Sequence, residues 1–472
     1  MRLDPFAQAA RVLRAGPEER PRDGNHYNQP SAALADDATF APSRCHPGPG
    51  NLRPRESLTP CRCTLIGMLV VQKYGGTSVA DADRIRHVAG RVLKRIKQGD
   101  QVIVVVSAMG NSTDDLIDLA LQVAPDPDPR ELDMLLSTGE QVSVALVAMA
   151  LKTLGQEAVG LTGQQAGIIA QGRHYQGRIS RVEADRVRAE LDAGRVPVVA
   201  GYWGVNEDQE ILTLGRGASD TTAVALAVAL GADRCENCKD VEGVYTADPR
   251  IVPTARKLKD ITYEEMLELA TQGSTVMHNR AVELASVYNL PILVTSSMVD
   301  APGTMIRQES ELEERNRVRG IAHDTDVAKV TVRRVPDKPG IAANIFEPLA
   351  EAGISVDTIV QNSSEGKMTD LTFTLSRSDL RKAEKIMPAI CESVGAPEFT
   401  SDGNLGKVSI VGVGIQTAHG YAAKMFRAMF EAGINIELIS TSEIRLTCII
   451  DSAQVPDAVR ALHAAFELES AE

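Results

Sequence analysis

The chain has 472 residues, 43% of them hydrophobic, which is enough to bury large cores and suggests two to four domains. Its formal net charge of -13 argues against a surface for nucleic acid or anionic membrane and predicts a cytoplasmic protein. No apolar run in the sequence approaches the length that spans a bilayer. The seven cysteines are scattered and odd in number, unlike a secreted disulfide framework.

Residues 1–67 differ in composition from everything that follows. They hold nine of the 23 prolines and little hydrophobic periodicity, which predicts a disordered extension. The segment lacks the apolar core of a secretory signal, and acidic residues such as Glu18 and Asp36 fit poorly with an organellar transit peptide. We expect translation to begin at Met68, with a genuine flexible extension as the alternative.

The first predicted strand, Met68 to Val71, leads through Lys73-Tyr-Gly-Gly-Thr-Ser78 into a helical pattern. The lysine comes before the glycines, whereas in the P-loop it follows them, so this is not a Walker A site. A second turn, Ser107 to Thr113, follows the predicted buried strand Val102 to Val106. Ligands of open α/β sheets gather at such strand ends, although an ordinary connection is the alternative for either turn alone.

Strands and helices alternate from Met68 to about Ile306. The predicted elements include the helix Glu131 to Leu154 and the strands Val196 to Val199 and Ile292 to Val294. This alternation predicts a mostly parallel sheet covered by helices on both faces.

A third loop, Gly215-Arg-Gly-Ala-Ser-Asp220, runs directly into an Ala/Val-rich helical stretch. Glycines let the backbone approach an anion, the helix start offers unpaired N–H groups, and Arg216 supplies a planar fork for carboxylate or phosphate. We interpret the segment as a phosphate-handling loop. A plain loop in which Asp220 caps the helix is the alternative.

Cys235 and Cys238 have the spacing of half a metal site, and Cys61 and Cys63 are candidates for the other half. The two pairs lie in very different segments, and the first falls on a predicted strand. We therefore interpret Cys235 and Cys238 as small hydrophobic residues rather than zinc ligands.

An internal repeat follows a charged stretch at 309–319. Gly340 and Gly353 recur 80 residues later as Gly420 and Gly433, on either side of a helical pattern. The recurrence predicts two copies of one β-loop-helix-β unit.

Six motifs, taken together, resemble those of aspartate kinases in order and spacing. They are Lys73–Val79, Ser107–Gly110, Ser137–Gln141, Gly201–Glu207, Gly215–Asp220 and Asp240–Arg250. The resemblance implies the α/β amino-acid kinase fold, a mostly parallel sheet sandwiched by helices, followed by two α+β ACT domains of ferredoxin-like topology. The implied boundaries are 68–308 for the kinase domain, 309–325 for a linker, and 326–400 and 401–472 for the ACT domains.

The implied reaction is the phosphorylation of the β-carboxylate of L-aspartate by ATP with Mg²⁺, giving 4-phospho-L-aspartate. This is the first step toward lysine, threonine, methionine and diaminopimelate. Another carboxylate kinase of the same fold, such as one acting on glutamate derivatives, and a catalytically silent amino-acid sensor are the alternatives.

The resemblance also implies roles for individual residues. Lys73 would stabilise the transferring phosphoryl group, and Asp220 would orient that lysine and the phosphates or magnesium. Arg216 would bind the α-carboxylate of the substrate and Glu140 its ammonium, although a lone glutamate of this kind is otherwise an ordinary exposed helix residue. Hydrogen bonds to the substrate carboxylates are assigned to Thr113 and Ser219. The nucleotide contacts would be Lys73, Tyr74, Gly75, Gly76, Lys239, Asp240, Tyr245, Arg250, Thr275 and Val276, with core packing as the alternative for Tyr245. No residue is assigned to a metal.

For the ACT pair, the resemblance implies feedback sensing of lysine, threonine or both, with simple dimerisation as the alternative. The implied effector contacts are Asp337, Ile341, Ala342, Gln361, Asn435, Ile436 and Ser442. The expected assembly is a homodimer or an α2β2 complex whose shorter chain starts internally, near Met277 or Met305.

Four positions depart from the family pattern. The family usually has Gly at Ala218, Tyr-Thr at Cys238-Lys239 and Trp at Gln165, and often Lys at Thr275. An alanine at 218 would cost about 1 kcal/mol if the position required a positive φ. Lys239 adds a cation beside the nucleotide, so we predict a competent kinase with altered ATP affinity.

Overall fold

The structure is a computed structural model that describes residues 67–308, 318–362, 366–416 and 419–470. The predicted extension, apart from Gly67, lies outside the described residues, as do Cys45, Cys61, Cys63 and the linker segment 309–317.

The strands of the first part of the chain are β1 (Leu69–Tyr74), β2 (Gln101–Val106), β3 (Ala158–Leu161), β4 (Ile168–Gln171), β5 (Arg178–Val182), β6 (Val196–Ala200), β7 (Trp203–Val205), β8 (Ile211–Thr213), β9 (Arg234–Lys239), β10 (Asp260–Ile261), β11 (Ile292–Ser296) and β12 (Thr304–Ile306). Its helices are α1 (Ala82–Lys97), α2 (Ser112–Val123), α3 (Pro129–Thr153), α4 (Asp185–Asp192), α5 (Ala218–Leu230), α6 (Tyr263–Thr271) and α7 (Asn279–Val287).

Eight of these strands form a central sheet in the order β10-β12-β11-β9-β1-β2-β6-β3. Within it β11 and β12 are antiparallel, and the other neighbours are parallel. In β2 every residue after Gln101 is a buried Val or Ile, the pattern of a strand covered on both faces. The predicted mostly parallel sheet is confirmed. A smaller sheet has the order β5-β4-β7-β8.

Helix α5 is apolar around almost its whole circumference and packs against β1 and α7. Such a helix belongs in a core rather than on a surface. Its N-terminus therefore lies at a fixed position relative to the end of β1.

Among the described residues, one helix, α3, is long and apolar enough to cross a membrane by length and composition. The sequence had not led us to expect one. Half of its most apolar window is buried inside the protein, and its Asp133 and Glu140 are buried as well. These are features of the core helix of a globular domain.

Cys235 and Cys238 lie on β9 and are 2% and 1% exposed. Because side chains alternate along a strand, the two point to opposite faces of the sheet. Cys235 packs in the cluster that contains Val71, and Cys238 in the cluster that contains Tyr74. They cannot share a metal ion, and they serve as small core residues.

The second part of the chain contains the strands β13 (Gly320–Pro336), β14 (Val356–Gln361), β15 (Met368–Leu375), β16 (Glu398–Val411), β17 (Leu438–Ser442) and β18 (Arg445–Asp451). Its helices are α8 (Ile341–Glu351), α9 (Arg377–Val394), α10 (Tyr421–Glu431) and α11 (Val455–Ala465). The strands form one sheet in the order β14-β15-β13-β16-β18-β17.

Two long strands, β13 and β16, are shared between the two repeat units. They pair antiparallel from Gly320 opposite Val411 to Arg333 opposite Glu398. The later part of β13 pairs with β15, and the later part of β16 pairs with β18. The second unit is therefore completed by the start of β13, which precedes the first unit in the chain. Residues 320–325 fall within the predicted linker, but in the structure they are part of β13 and pair with β16, about 85 residues further along the chain.

The two parts of the chain meet beside Thr246. The Thr246 carbonyl accepts a hydrogen bond of 2.7 Å from the Ile321 N–H, and its hydroxyl lies 3.0 Å from Nε2 of His463 on α11. Ser409 of β16 donates to Gln272, just after α6, at 3.1 Å. The second repeat unit is thus joined directly to the segment that carries Tyr245.

Candidate active site

The central feature of the site is a carboxylate between two lysines. Lys73 lies near the carboxyl end of β1, is 5% exposed, and places its Nζ 2.7 Å from Oδ1 of Asp220 on α5. Lys239 at the end of β9 lies 3.2 Å from Oδ2 of the same aspartate, and the His278 N–H donates to that oxygen at 3.3 Å. The parallel strands β1 and β9 are neighbours, which brings both lysines to one edge of the sheet.

Charge pairing determines the ionisation of Asp220. Burial raises the pKa of this carboxyl, but the ammonium groups of Lys239 and Lys73 outweigh burial and hold the pKa well below its usual range. Burial lowers the pKa of Lys239, while Asp220 opposes that shift. Two cations against one carboxylate leave a site that favours an anionic ligand.

The glycine turn leaves room above this cluster. A Cβ on Gly75 would find only Lys73 Nζ nearby, at 3.7 Å, whereas a Cβ on Gly76 would lie 2.7 Å from the Ala108 carbonyl oxygen. Gly110 donates its N–H to the Gly76 carbonyl at 3.0 Å. Gly76 is therefore needed where the first two loops touch, and Gly75 keeps the space over the lysine free.

The third loop requires its left-handed residue at Gly217, not at the next position. Gly217 has a φ of 78° and precedes the first residue of α5, and a Cβ there would lie 2.7 Å from Cδ2 of His278. Ala218 is helical and packs with Ala170 and Leu212. The strain that we considered for Ala218 does not arise, because a negative φ suits alanine.

Glu140 of α3 is buried and only half satisfied. Its Oε1 accepts a hydrogen bond of 3.0 Å from the Ala108 N–H, whereas Oε2 is buried without a hydrogen-bond partner among the described residues. Burial raises the pKa of this carboxyl to about 8. Oε2 remains as an acceptor for an incoming ammonium group, whose charge would offset burial and favour ionisation of the carboxyl.

The other predicted amino-acid contacts differ in exposure. Arg216 is 68% exposed at its side chain and lies 2.6 Å from Oδ1 of Asp114. Thr113 lies beside Asp114 in the first turn of α2, and Ser219 is buried at the start of α5. Of Thr113, Arg216 and Ser219, Arg216 is the residue whose side chain is positioned by an exposed ion pair.

Of the predicted nucleotide contacts, Tyr74 has its side chain directed away from the lysines. It is fully buried in the core on the opposite face of β1 and donates to Gln72 at 3.1 Å, so only its main chain remains for a ligand. The guanidinium of Arg250 is paired with Asp248 through contacts of 3.0 and 2.7 Å. Asp240 and Thr275 are exposed, and Tyr245 and Val276 are half-buried.

Two residues near the site were not singled out in the sequence. His278 contacts Asp220 through its N–H and packs its ring against Gly217. Asp133 is buried two helical turns before Glu140 on α3. The sequence feature that could have identified Asp133 is its spacing of seven residues from Glu140, because residues at this spacing share a helix face.

The predicted effector contacts fall into two groups at opposite edges of the six-stranded sheet. Asp337, Ile341, Ala342 and Gln361 lie next to the edge strand β14 or the start of α8, whereas Asn435, Ile436 and Ser442 lie on or before the other edge strand, β17. Five inter-strand steps of about 4.8 Å separate these edges. One chain alone does not bring the two groups together.

No three His, Cys, Asp or Glu side chains come together as a metal-binding group in the part of the chain that the structure describes. Asp220 is already neutralised by lysines. The donor set therefore suits a magnesium ion held mainly by the phosphates of a nucleotide rather than by a protein cage.

Known families match most of the chain. The amino acid kinase family matches residues 68–296, and two ACT domain models match residues 330–392 and 408–466. An aspartokinase of Mycolicibacterium smegmatis is 50% identical over 405 residues, covering 85% of this chain and 96% of the relative. An aspartokinase of Pseudomonas aeruginosa is 50% identical over 404 residues, covering 85% of this chain and 98% of the relative.

Among solved structures, aspartokinase III of E. coli in complex with aspartate and ADP, in its R-state, superposes with a TM-score of 0.74. The sequences are 25% identical, and the match covers 84% of this chain and all of that chain.

Proposed function

This chain belongs to the aspartate kinase family, and from that premise we propose how its residues share the reaction. The reaction transfers a phosphoryl group from ATP to the β-carboxylate of L-aspartate, the entry to amino-acid biosynthesis from aspartate. The observation that carries the assignment of roles is the complementary charge of the site. A cationic pair lies at one end, and at the other lies the buried Glu140 carboxyl, whose Oε2 has no hydrogen-bond partner within the described ranges.

The nucleophile needs no general base, since a side-chain carboxyl with a reference pKa of about 3.9 is ionised at neutral pH. Catalysis then consists of alignment and charge stabilisation. Lys73 stabilises charge on the transferring phosphoryl oxygens, and Lys239 provides a second cation on the nucleotide side. Asp220 holds both ammonium groups in place, supported by the distances of 2.7 and 3.2 Å.

At the amino-acid end, Glu140 receives the substrate ammonium and Arg216 its α-carboxylate. The support for Glu140 is its Oε2, which no described residue contacts by a hydrogen bond, and the support for Arg216 is the geometry of a guanidinium fork. To bind the substrate, Arg216 exchanges the carboxylate of Asp114 for that of aspartate. Thr113 and Ser219 supply neutral hydrogen bonds.

ATP occupies the space over Gly75, with the main chain of Tyr74 and Gly76 along its phosphates. The nucleoside side is lined by Asp240, Tyr245, Thr275 and Val276, and Arg250 contacts the phosphates. A magnesium ion bound together with the nucleotide would supply charge screening for its phosphates. Arg250 must release Asp248 to reach a phosphate.

We further propose that the ACT units regulate the enzyme through a dimer. The two groups of effector contacts lie at opposite sheet edges, so one chain's β14 edge must meet another chain's β17 edge to complete a site for lysine or threonine. Ile359 and Ile439, exposed on these edge strands, would be covered by that contact. A homodimer provides it, and so would an α2β2 complex.

A hydroxylamine-trapping assay tests the proposal. Aspartate, MgATP and hydroxylamine should yield aspartyl hydroxamate, and lysine or threonine should suppress it. Product with glutamate but not aspartate would favour a related carboxylate kinase. Lysine or threonine binding without turnover of any acid would favour a silent sensor.

A further inference from the structure

Asp133 is a buried carboxylate that the proposed reaction does not use. It is fully buried on α3, seven residues before Glu140 and on the same face of the helix. A buried carboxylate persists only where donors compensate its lost hydration, so its partners indicate what it organises.

Three donors from two other segments converge on this carboxylate. The hydroxyl of Thr213 lies 2.5 Å from Oδ1, and Nδ1 of His174 lies 2.9 Å from Oδ2. The N–H of Tyr175 lies 3.1 Å from both oxygens. Thr213 ends β8, three residues before Arg216, so Asp133 joins the helix of Glu140 to the loop of Arg216.

Tyr175 is held in an unfavourable backbone conformation. Its φ is 65°, in the left-handed region that non-glycine residues rarely adopt. Such strain persists where surrounding contacts enforce it, and it is concentrated at functional sites. The phenol of Tyr175 lies beside the guanidinium of Arg216 and beside Tyr202.

A second tether holds the same two loops together. Gly177 donates its N–H to the Thr213 carbonyl at 2.8 Å. Arg280 of α7 donates to the Leu214 carbonyl at 2.8 Å and to the Gly177 carbonyl at 3.3 Å. The turn that carries Tyr175 is therefore fixed to the strand that leads into Arg216.

We propose that Asp133 is a positioning residue of the amino-acid site and acts through Tyr175 and Thr213. It sets the separation between Glu140, which receives the substrate ammonium, and Arg216, which receives the α-carboxylate. Tyr175 supplies a hydroxyl that steadies Arg216 when the guanidinium leaves Asp114. This inference rests on the proposed roles of Glu140 and Arg216.

A carboxylate suits this position because it accepts several hydrogen bonds at once. An asparagine at position 133 has nearly the same shape, but one of its terminal atoms donates instead of accepting. The Asp133→Asn variant therefore loosens the junction without emptying it. Tyr175→Phe leaves the junction intact and removes only the hydroxyl beside Arg216.

Steady-state kinetics of the full chain tests the proposal. Asp133→Asn should raise KM for aspartate about tenfold, because small displacements of a binding group are costly, and should leave KM for ATP within about twofold. Tyr175→Phe should raise KM for aspartate by about threefold, since one hydrogen bond to a charged group is weakened. The Asp133→Asn variant should also have a smaller ratio of kcat/KM for aspartate to kcat/KM for glutamate.

Asp128→Ala provides the matched control. Asp128 caps the N-terminus of the same helix, twelve residues before Glu140, and accepts from the Arg130 and Glu131 N–H groups. The control should lower thermal stability without changing either KM. If Asp133→Asn behaves like Asp128→Ala, its role is only structural and the proposal is overturned.

Arg216→Ala and Glu140→Gln separate this inference from the proposed function. If neither raises KM for aspartate, the assignment of the amino-acid site fails, and this inference fails with it. If both raise it while Tyr175→Phe and a folded Asp133→Asn leave it within twofold, only this inference fails. Thr213→Val removes a single donor and replaces Asp133→Asn in these comparisons should that variant not fold.

Discussion

The two ends of the site handle charge in opposite ways. At the phosphoryl end, Asp220 already has Lys73 and Lys239 as counterions, and its pKa is held low. At the amino-acid end, Glu140 has a buried oxygen without a partner in the described part of the chain, and burial raises its pKa to about 8. The phosphoryl end therefore has its charges paired before substrate binds, whereas the amino-acid end gains its charge partner from the substrate.

This difference assigns separate tasks to the two ends. Preformed electrostatics lowers the barrier because its reorganisation cost is met during folding. An unsatisfied group instead selects the ligand that satisfies it, since any ligand lacking the matching charge leaves the group unpaired. We therefore expect variants at the first end to change kcat or KM for ATP, and variants at the second to change KM for aspartate.

The largest effect is expected for Lys73→Met. Removing this cation should lower kcat by about 10²–10³-fold, as loss of one preorganised donor does elsewhere. Hydroxamate formation at saturating substrates measures it. Lys97→Met, at an exposed position on α1, is the control and should retain activity. A decrease in kcat of less than tenfold would remove Lys73 from its proposed role.

Glu140→Gln should raise KM for aspartate by about 10–100-fold while changing kcat little, because the charge partner of the ammonium is lost. The same variant should be more stable by on the order of 1–3 kcal/mol near neutral pH, since folding no longer forces protonation of a carboxyl. Kinetics and denaturant unfolding measure the two effects. A less stable variant with unchanged KM would contradict the assignment.

The pH dependence follows from the raised pKa of Glu140. Below about pH 8 the empty site holds Glu140 protonated, so apparent affinity for aspartate should fall by up to about tenfold per pH unit as pH decreases. The unfolding free energy should fall as pH rises from about 4.5 toward 8, because the native state binds the extra proton. Measuring KM for aspartate and the free energy of unfolding between pH 6 and 8.5 checks both pH dependences. Both should be weaker in the Glu140→Gln variant.

Lys239→Thr should raise KM for ATP by about threefold to tenfold, because one of the two cations beside the phosphates is lost. Lys259→Thr, at an exposed position, is the matched control. An unchanged KM for ATP and an unchanged kcat would show that Lys239 only neutralises Asp220.

The smallest effect is expected for Ala218→Gly. The position is helical and buried, so the substitution should lower the unfolding free energy by about 1 kcal/mol. Both KM values should remain unchanged, since the alanine methyl packs against Ala170 and Leu212 rather than a ligand. A change in KM for ATP would instead indicate that the residue at position 218 contacts the substrate.

Much of the fold could be predicted because it depends on local patterns. The apolar run at β2 and the helical pattern of α1 both appear where periodicity indicates them. The repeat at Gly340 and Gly420 is present in the backbone as well, with φ values of 91° and 99°. These features depend on residues that are neighbours in the sequence, so one sequence is enough to predict them.

The strand that completes the second ACT unit could not be predicted in this way. The segment at Gly320 pairs with Val411, and its polar residues conceal the strand pattern. The direction of the Tyr74 side chain was missed for a different reason: the alternation of side chains along a strand, which a sequence does show, separates it from Lys73.

The sequence by itself determined the family, the reaction and the order of the domains, because these follow from motifs whose residues lie close together in the chain. Only the tertiary structure decided which groups are charged, satisfied or strained. Asp220 meets its two lysines, Glu140 has an oxygen that no described residue satisfies, and Gly217 rather than Ala218 adopts the left-handed conformation. The physical reason is that burial and pairing depend on elements that meet in space, far apart along the chain.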